Sequence, residues 1–167
     1  SEMCIRDRYI CGPGYSELYI NNSKIGDNVL EPGWTDYNRR VLYSVYDVTE
    51  NIQKGANLIS VMLGEGWLGH EHTFFMKIFG TNPSWLGTPC LLMNLLLFYS
   101  DGTTETIYTD EGLKWYAAKG PVIMNNIYDG ETYDARMEIK LPEGEEFRAQ
   151  KPFEPAIAVQ GPKGALY

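Results

Sequence analysis

The sequence predicts an all-β fold, a jelly-roll-like β-sandwich of antiparallel strands with little helix. Short segments with the alternating, β-branched or aromatic pattern of strands recur along the chain. Turn-forming Gly, Pro, Asn and Asp residues separate them, and a helical pattern extends over little more than one turn. With 167 residues, of which 44% are hydrophobic, the chain can bury one core and is expected to form a single domain.

That domain is predicted to occupy residues 9–167 and to be truncated at both ends. Residues 1–8 show neither strand alternation nor a helical face, and they resemble translated adapter sequence more than natural protein. They are therefore interpreted as a non-native leader and excluded from the fold. Residues 9–11 have the pattern of a strand already under way, and residues 162–167 resemble a connection that stops midway.

A β-hairpin is predicted next, with strands at residues 15–21 and 25–30 joined by turn-forming residues. Pro32 and Gly33 then interrupt the strand pattern. Residues 40–48 are again rich in valine and tyrosine, which favour strands. The first third of the chain is thus expected to be built from short β segments.

The middle of the chain begins with the only helical signal. Thr49 can cap and Gly55 can end about one helical turn. Residues 57–63 then have the apolar content of a strand. Residues 64–89 have no regular pattern, and such a long connection in a compact domain is usually functional.

The clearest hairpin joins residues 91–100 to residues 103–109. Asp101 and Gly102 favour the primed turns whose twist matches that of paired strands. Residues 91–98 are apolar at nearly every position, which predicts a central strand buried on both faces. Three further strands are predicted, at residues 122–126, 132–137 and 156–160.

The charge distribution excludes several classes of partner. A net charge of −8 and a pI near 4.7 argue against binding to a phosphate backbone, which requires clustered Lys and Arg. The apolar run at residues 90–98 is too short to cross a membrane, so no membrane partner is predicted. Because the native start is not visible, the compartment stays unknown. A neutral polyol or glycoside suits this surface better.

The densest polar and aromatic cluster lies at residues 128–136, around Gly130. Its carboxylates, tyrosine rings and guanidinium are suited to hydroxyl-rich ligands such as sugars. A salt-bridged turn network is the alternative interpretation. The candidates for ligand or interdomain contact in this cluster are Tyr128, Asp129, Glu131, Tyr133, Asp134 and Arg136.

A second group of candidates is aromatic. Trp34, Tyr37 and Trp67 could stack on the C–H face of a pyranose, while Asp36 and Arg39 bond its hydroxyls. The alternative is a position at the rim of the core, which applies most to Trp34. Trp67 lies between glycines in the irregular segment and is expected to be exposed.

Metal and cofactor chemistry find little support. His70 and His72 could place two imidazoles on one face of an extended segment, with Glu71 between them, as in a zinc site. The spacing identifies no third ligand, so a solvated loop is the simpler interpretation. The three cysteines, Cys4, Cys11 and Cys90, lack metal-ligand spacing. No metal and no cofactor is predicted.

Five motifs in order resemble the N-terminal β-domain of bacterial α-L-rhamnosidases, glycoside hydrolase family 78. The similarity extends from about Tyr9 to the last residue, and the ordered series is far more specific than any one motif. The motifs are the sequences beginning at Gly14 (GYSELYIN), Gly33 (GWTDYNRR), Gly64 (GEGW), Gly120 (GPVIMNN) and Tyr128 (YDGETYDAR).

The resemblance implies a parent enzyme that hydrolyses terminal α-L-rhamnosyl linkages with inversion. In that family the acid and base lie in a downstream (α/α) barrel, so this chain is expected to be a non-catalytic accessory domain without catalytic residues. Its implied partners are rhamnose-containing glycosides and the downstream catalytic domain of the same chain.

Three alternatives remain open at this stage. The domain could be a scaffold that binds no sugar and docks on its missing neighbour. It could be a free-standing carbohydrate-binding module, with aromatic rings lining a polar groove. An independent hydrolase would need two carboxyls facing each other across a cleft, and the spacing of Asp129, Glu131 and Asp134 does not establish such a pair.

Overall fold

The computed structural model describes residues 3–69, 78, 80, 86–109, 115–126, 130–141 and 152–167. Almost all regular structure in these ranges is β-strand. The strands are β1 (Met3–Cys11), β2 (Tyr15–Ile20), β3 (Ser23–Lys24), β4 (Arg40–Val41), β5 (Ser44–Tyr46), β6 (Ile59–Gly64), β7 (Leu92–Tyr99), β8 (Thr104–Tyr108), β9 (Tyr116–Ala117), β10 (Val122–Asn126), β11 (Gly130–Tyr133), β12 (Glu154–Pro155) and β13 (Ala165–Leu166). Ala135–Met137 form one turn of 3-10 helix.

Two antiparallel sheets form the sandwich. One has the strand order β5-β1-β7-β8 and the other β3-β2-β6. Shorter pairs join β10 to β11, β12 to β9, and β13 to β4, the last pair being parallel. The predicted all-β sandwich of antiparallel strands with little helix is confirmed.

The main core lies between the two sheets. Alternate side chains of β7 point inward, and together with Ile10 of β1 they meet those of β2. Because every second residue faces the core, one face of each strand supplies most of the buried apolar surface. The buried members are Ile10, Leu18, Ile20, Ile25, Val48, Met93, Leu95 and Leu97.

A smaller core cluster covers one end of the outer face of the four-stranded sheet. It consists of Cys11, Tyr37, Val41 and Leu68, with Trp67 packed against it. Cys11 is the last residue of β1, whereas the other members come from the segments before β5 and after β6. This cluster attaches the segment that contains Tyr37 and the segment that contains Leu68 to the sandwich.

The hairpin of β2 and β3 turns more tightly than predicted. Asn21 and Asn22 both have positive φ, 50° and 64°, which is the geometry of a two-residue primed turn. The returning strand therefore pairs at Ser23–Lys24, and not over residues 25–30. Ile25 instead enters the main core.

The predicted hairpin of β7 and β8 is present, but its turn is of another kind. Gly102 has φ +84° and its N–H bonds to Tyr99 O at 2.9 Å, whereas Asp101 does not have positive φ. This is an ordinary turn followed by a left-handed glycine, the usual three-residue loop. The predicted primed turn at Asp101 and Gly102 is thus wrong.

Other differences concern strand extents. β1 begins at Met3, although no regular structure was expected before Tyr9; a register shift between Ile5 and Arg8 breaks the alternation that would have revealed it. The carbonyl oxygen of Val48 accepts a hydrogen bond from the backbone N–H of Asn51, which forms a simple turn where a helical turn was predicted. Residues 156–160 are exposed coil, since the pairing falls on Glu154–Pro155.

β7 occupies an inner position in its sheet, as predicted, but it is buried on one face only. Met93, Leu95 and Leu97 are buried against the other sheet, whereas Leu92 is exposed on the outer face. The prediction of burial on both faces is wrong for this chain. None of the helices that the structure describes is long and apolar enough to cross a membrane.

Candidate functional site

Two indole rings from separate motifs pack together at the surface of the domain. The ring centroids of Trp34 and Trp67 lie 5.3 Å apart, with the planes inclined at 37°. Trp34 is 48% exposed, and Trp67 is half-buried against the smaller core cluster. The exposures are opposite to those expected, because Trp34 is the outer ring. We call these two residues the tryptophan pair.

The position of Trp67 follows from a tight turn after β6. Leu68 and Gly69 donate their N–H groups to Glu65 O at 2.9 and 3.0 Å, which closes the turn. Gly66 has φ +47°, and a Cβ there would lie 2.9 Å from the carbonyl carbon of Gly14. Only glycine fits this close crossing of two backbones, which places the Trp67 side chain toward Trp34.

The segment after Trp34 is organised by Asp36. Its carbonyl accepts from the N–H groups of Arg39 and Arg40 at 2.8 and 2.9 Å, and its Oδ1 accepts from Asn38 N at 3.0 Å. Arg39 Nε also lies 3.6 Å from Asp36 Oδ2, with both side chains largely in solvent. An exposed ion pair of this kind contributes little stability, so both groups are available for polar contacts.

Tyr37 occupies a different place from the one expected of a stacking residue. Its side chain is fully buried in the smaller core cluster, and its Oη accepts a long hydrogen bond of 3.4 Å from Gly14 N. Burial raises the pKa of its phenol above the ordinary value. Tyr37 therefore positions the loop of Trp34 and offers no ring face to a ligand.

The hairpin of β10 and β11 is attached to the turn that carries Trp67. Asn125 Oδ1 accepts from Glu65 N at 2.8 Å. Glu131 is the cross-strand partner of Asn125 and projects from the same face of the hairpin, with its side chain exposed. The acidic motif thus has one carboxylate on the side of the hairpin that faces this turn.

Asp134 and Arg136 bond to each other. Arg136 donates from Nε and Nη2 to the two carboxylate oxygens of Asp134 at 2.8 and 2.6 Å, a bidentate pair. Asp134 also caps the 3-10 turn by accepting from Arg136 N, and these bonds hold the pKa of Asp134 below its ordinary value. This geometry matches the salt-bridged turn network that was the alternative interpretation.

Tyr133 has a similar local role. Its hydroxyl donates to Glu138 Oε1 at 2.7 Å, a bond that raises the pKa of Tyr133. The residue is nevertheless 51% exposed, so Tyr133 remains available for contacts outside the domain. The predictions for Tyr128, Asp129 and the segment His70 to His72 fall outside the described residues.

Two residues that hold the site together were not among the candidates. Glu65 and Asn125 both lie within the quoted motifs, yet their roles depend on backbone contacts between segments distant in sequence. Asn125 also presents Nδ2 toward the backbone of Gly64, where a Cβ would approach it to 2.7 Å. The available signal in the sequence was Gly64 followed by Glu65, but it did not identify Asn125 as the residue that bonds to this turn.

The described thiols show no activation. Burial raises the pKa of Cys11 to about 12 and also raises that of Cys90. Raised values of this kind are typical of structural, unreactive cysteines. In the part of the chain that the structure describes, no three His, Cys, Asp or Glu side chains gather in a way that could hold a metal ion.

Fold and surface together define a β-sandwich domain with a paired tryptophan surface beside acidic hairpin residues. The comparisons with known proteins identify the family. Residues 6–167 match the α-L-rhamnosidase N-terminal domain, and the chain belongs to this family.

Three similar proteins are all α-L-rhamnosidases. The protein from Formosa agariphila is 38% identical over 131 residues, which cover 78% of this chain and 14% of that protein. The structure from Dictyoglumus thermophilum has a TM-score of 0.82 and 40% identity, covering 100% of this chain and 17% of that one. The structure from Streptomyces avermitilis, complexed with L-rhamnose, has a TM-score of 0.71 and 34% identity, covering 83% and 13%. This chain thus corresponds to a small part of much longer enzymes.

Proposed function

We propose that this chain is a non-catalytic accessory domain of an α-L-rhamnosidase, which contacts terminal α-L-rhamnosides and packs against the catalytic domain of its parent. The observation that carries the sugar contact is the tryptophan pair. Trp34 presents an exposed ring, and the side chains of Asp36 and Arg39 lie two and five positions further along the same loop.

The chemistry of rhamnose suits such a surface. Rhamnose is a neutral deoxy sugar, and its methyl group and ring C–H bonds form an apolar face that an indole can cover. Asp36 can accept hydrogen bonds from vicinal hydroxyls, and Arg39 can donate to them. Because the ligand is uncharged, the net charge of −8 does not oppose binding.

A catalytic role is not part of the proposal. Inverting hydrolysis needs an acid and a base carboxyl separated widely enough to admit water. In the acidic motif, Asp134 is engaged by Arg136 and kept ionised, which makes it unsuitable as the acid. The chain also spans only 14% of the Formosa relative, which leaves room for a separate catalytic domain.

Titration calorimetry of the 167-residue chain with L-rhamnose tests the sugar contact. We expect saturable heat that is lost in Trp34→Ala and reduced in Trp67→Ala, with each variant shown to be folded by circular dichroism. Val159→Ala, an exposed coil position, is the control and should bind L-rhamnose as the unsubstituted chain does. L-mannose, which carries a hydroxyl in place of hydrogen at C6, should bind more weakly if an indole covers the methyl group.

A scaffold without sugar binding is the second candidate. It is favoured by the self-paired Asp134 and Arg136, which need no ligand, and by exposed apolar side chains on the outer face of the larger sheet. A folded chain that gives no heat with L-rhamnose or with a rhamnose-terminated oligosaccharide would support the scaffold and contradict the sugar contact.

A further inference from the structure

The outer face of the four-stranded sheet carries a row of large side chains across all four strands. The registers align Val45 of β5 with Tyr9, Tyr9 with Asn94 of β7, and Asn94 with Tyr108 of β8. Residues opposite each other in antiparallel strands share a face, and three strand spacings make this row about 14 Å wide.

The two ends of the row are open to solvent. Val45 is 49% exposed and Tyr108 is 47% exposed, and Leu92, on the same face of β7, is 46% exposed. Tyr43 adds an exposed ring that packs edge-on against Tyr9, with centroids 5.6 Å apart. We call this surface the outer apolar face.

The outer apolar face lacks the composition of a solvent-facing sheet. Antiparallel sheets with one wet face alternate apolar and polar residues, but β7 also carries Leu92, Leu96 and Phe98 on its outer side. The polar side chains that share this face, Asn94 of β7 and Thr104 and Thr106 of β8, are all uncharged. Among the described strand side chains on this face, none is charged, although the chain as a whole has a net charge of −8. Such a surface has the composition of one covered by protein.

Part of the same face is already covered by the chain itself. At the end of β1, Cys11 is buried under Tyr37, Val41 and Leu68. The cover stops there, and the exposed side chains of Leu166 and Tyr167 border the open part, since Tyr43 N donates to Tyr167 O at 3.1 Å. The outer apolar face thus continues from an internal packing surface.

We propose that the outer apolar face is the docking surface for another domain of the parent α-L-rhamnosidase chain. This inference rests on the proposed function and names the surface through which the packing occurs. The similar enzymes are several times longer, since this domain covers only 14% and 17% of two of them, so a chain of that kind can itself supply the covering domain. An intramolecular partner also needs only a modest contact area, because its effective concentration is high.

Thiol labelling in the complete α-L-rhamnosidase that contains this domain tests the proposal. Val45→Cys and Tyr108→Cys report on the face, and Ile157→Cys, 81% exposed in coil, is the reference. N-ethylmaleimide incorporation is followed by peptide mass spectrometry, which separates the introduced thiols from native cysteines. We expect both face positions to react roughly tenfold or more slowly than the reference, and to match it in denaturant. Equal native rates at all three positions would overturn the proposal.

A second copy of the chain is the competing occupant. Protection that disappears on dilution, in parallel with dimer dissociation in sedimentation velocity, would assign the face to self-association and overturn the intramolecular assignment. As a second measurement, the Val45→Lys and Tyr108→Lys double variant should release the domain to limited proteolysis. The matched pair Ile157→Lys and Val159→Lys should not do so.

Failure of this inference can be told apart from failure of the sugar contact. Labelling is measured without sugar, and Trp34→Ala should leave the labelling rates unchanged. Protected face positions without rhamnose binding would leave a docked scaffold. Rhamnose binding with freely reacting face positions would refute the docking surface alone.

Discussion

The side-chain oxygen of Asn125 accepts a hydrogen bond of 2.8 Å from the backbone N–H of Glu65, a residue 60 positions earlier in the chain. This bond ties the hairpin of β10 and β11 to the turn that carries Trp67. Because Glu65 O also closes that turn by accepting from Leu68 and Gly69, one residue links hairpin, turn and indole. The orientation of the tryptophan pair therefore depends on Asn125.

Asn125→Leu should destabilise the domain by about 1–3 kcal/mol, because the partly buried N–H of Glu65 loses its acceptor. Urea unfolding followed by tryptophan fluorescence measures the change. Asn125→Asp retains an acceptor at the same atom and should lose clearly less. Equal losses in the two variants would show that the acceptor is not what holds the turn.

Gly164→Ala should detach β13 from β4. A Cβ at Gly164 would lie 2.6 Å from Arg40 N and 2.7 Å from Tyr37 O, both backbone atoms that cannot rotate away. Overpacking of this kind costs about 1–3 kcal/mol. Hydrogen exchange should accelerate at the amides of Ala165 and Tyr167, which donate to Arg39 O and Val41 O.

The control for this substitution is Gly161→Ala. A Cβ at Gly161 meets only Cys90 Sγ, at 3.9 Å, which is an ordinary contact. Exchange at Ala165 and Tyr167 should then be unchanged. Acceleration in both variants would point to general loosening of residues 161–167 and away from the close approach at Gly164.

The sequence predicted the elements whose signals are local. The hairpin of β7 and β8 combines an apolar run with an Asp-Gly pair, and β2 alternates before two asparagines. Pairings that use only backbone groups left no such signal. β13 pairs with β4, and β12 with β9, through backbone groups that leave no mark on the side-chain pattern. Residues 156–160 were therefore assigned a strand that lies at Glu154–Pro155.

The sequence indicated which residues belong to the candidate site, but not the directions in which their side chains point. Trp34 and Tyr37 lie in one loop without a period, so their spacing could not show which ring points outward. The structure buries Tyr37 and exposes Trp34. The joining of Glu65 to Asn125 spans separate motifs, and such contacts follow from the packing of segments that one sequence does not reveal.

Tyr37→Phe should lower stability by about 1 kcal/mol, the low end of the range for a buried N–H that loses its acceptor, because the bond from Gly14 N is long. Tyr37→Ala should lose about 3–5 kcal/mol, since the ring is fully buried. Thermal unfolding gives the ranking. The Phe variant should bind L-rhamnose as the unsubstituted chain does. Loss of binding in that folded variant would contradict the assignment of Tyr37 to the core.

The ion pair of Glu17 and Lys24 should make stability depend on pH in the acid range. Lys24 Nζ lies 2.6 Å from Glu17 Oε1, and Tyr19 Oη donates to Oε2 at 2.7 Å. These bonds, the one from Lys24 first, hold the pKa of Glu17 below its ordinary value of 4.5. A lowered folded pKa means that the stabilisation is complete above 4.5 and is lost as pH falls through the folded value.

Glu17→Gln should therefore reduce the free energy of unfolding by about 0.2–1 kcal/mol near neutral pH, the range for a partly exposed pair. The difference should vanish once the pH falls below the lowered folded pKa of Glu17, where the native carboxyl is also protonated. Urea unfolding across this range measures it. Lys24→Met and the double variant complete the cycle, because the Glu17 effect should shrink once Lys24 is absent. If the free energies of unfolding of Glu17→Gln and the unsubstituted chain differ by a constant amount from neutral to acid pH, the ion pair is excluded as the source of that difference.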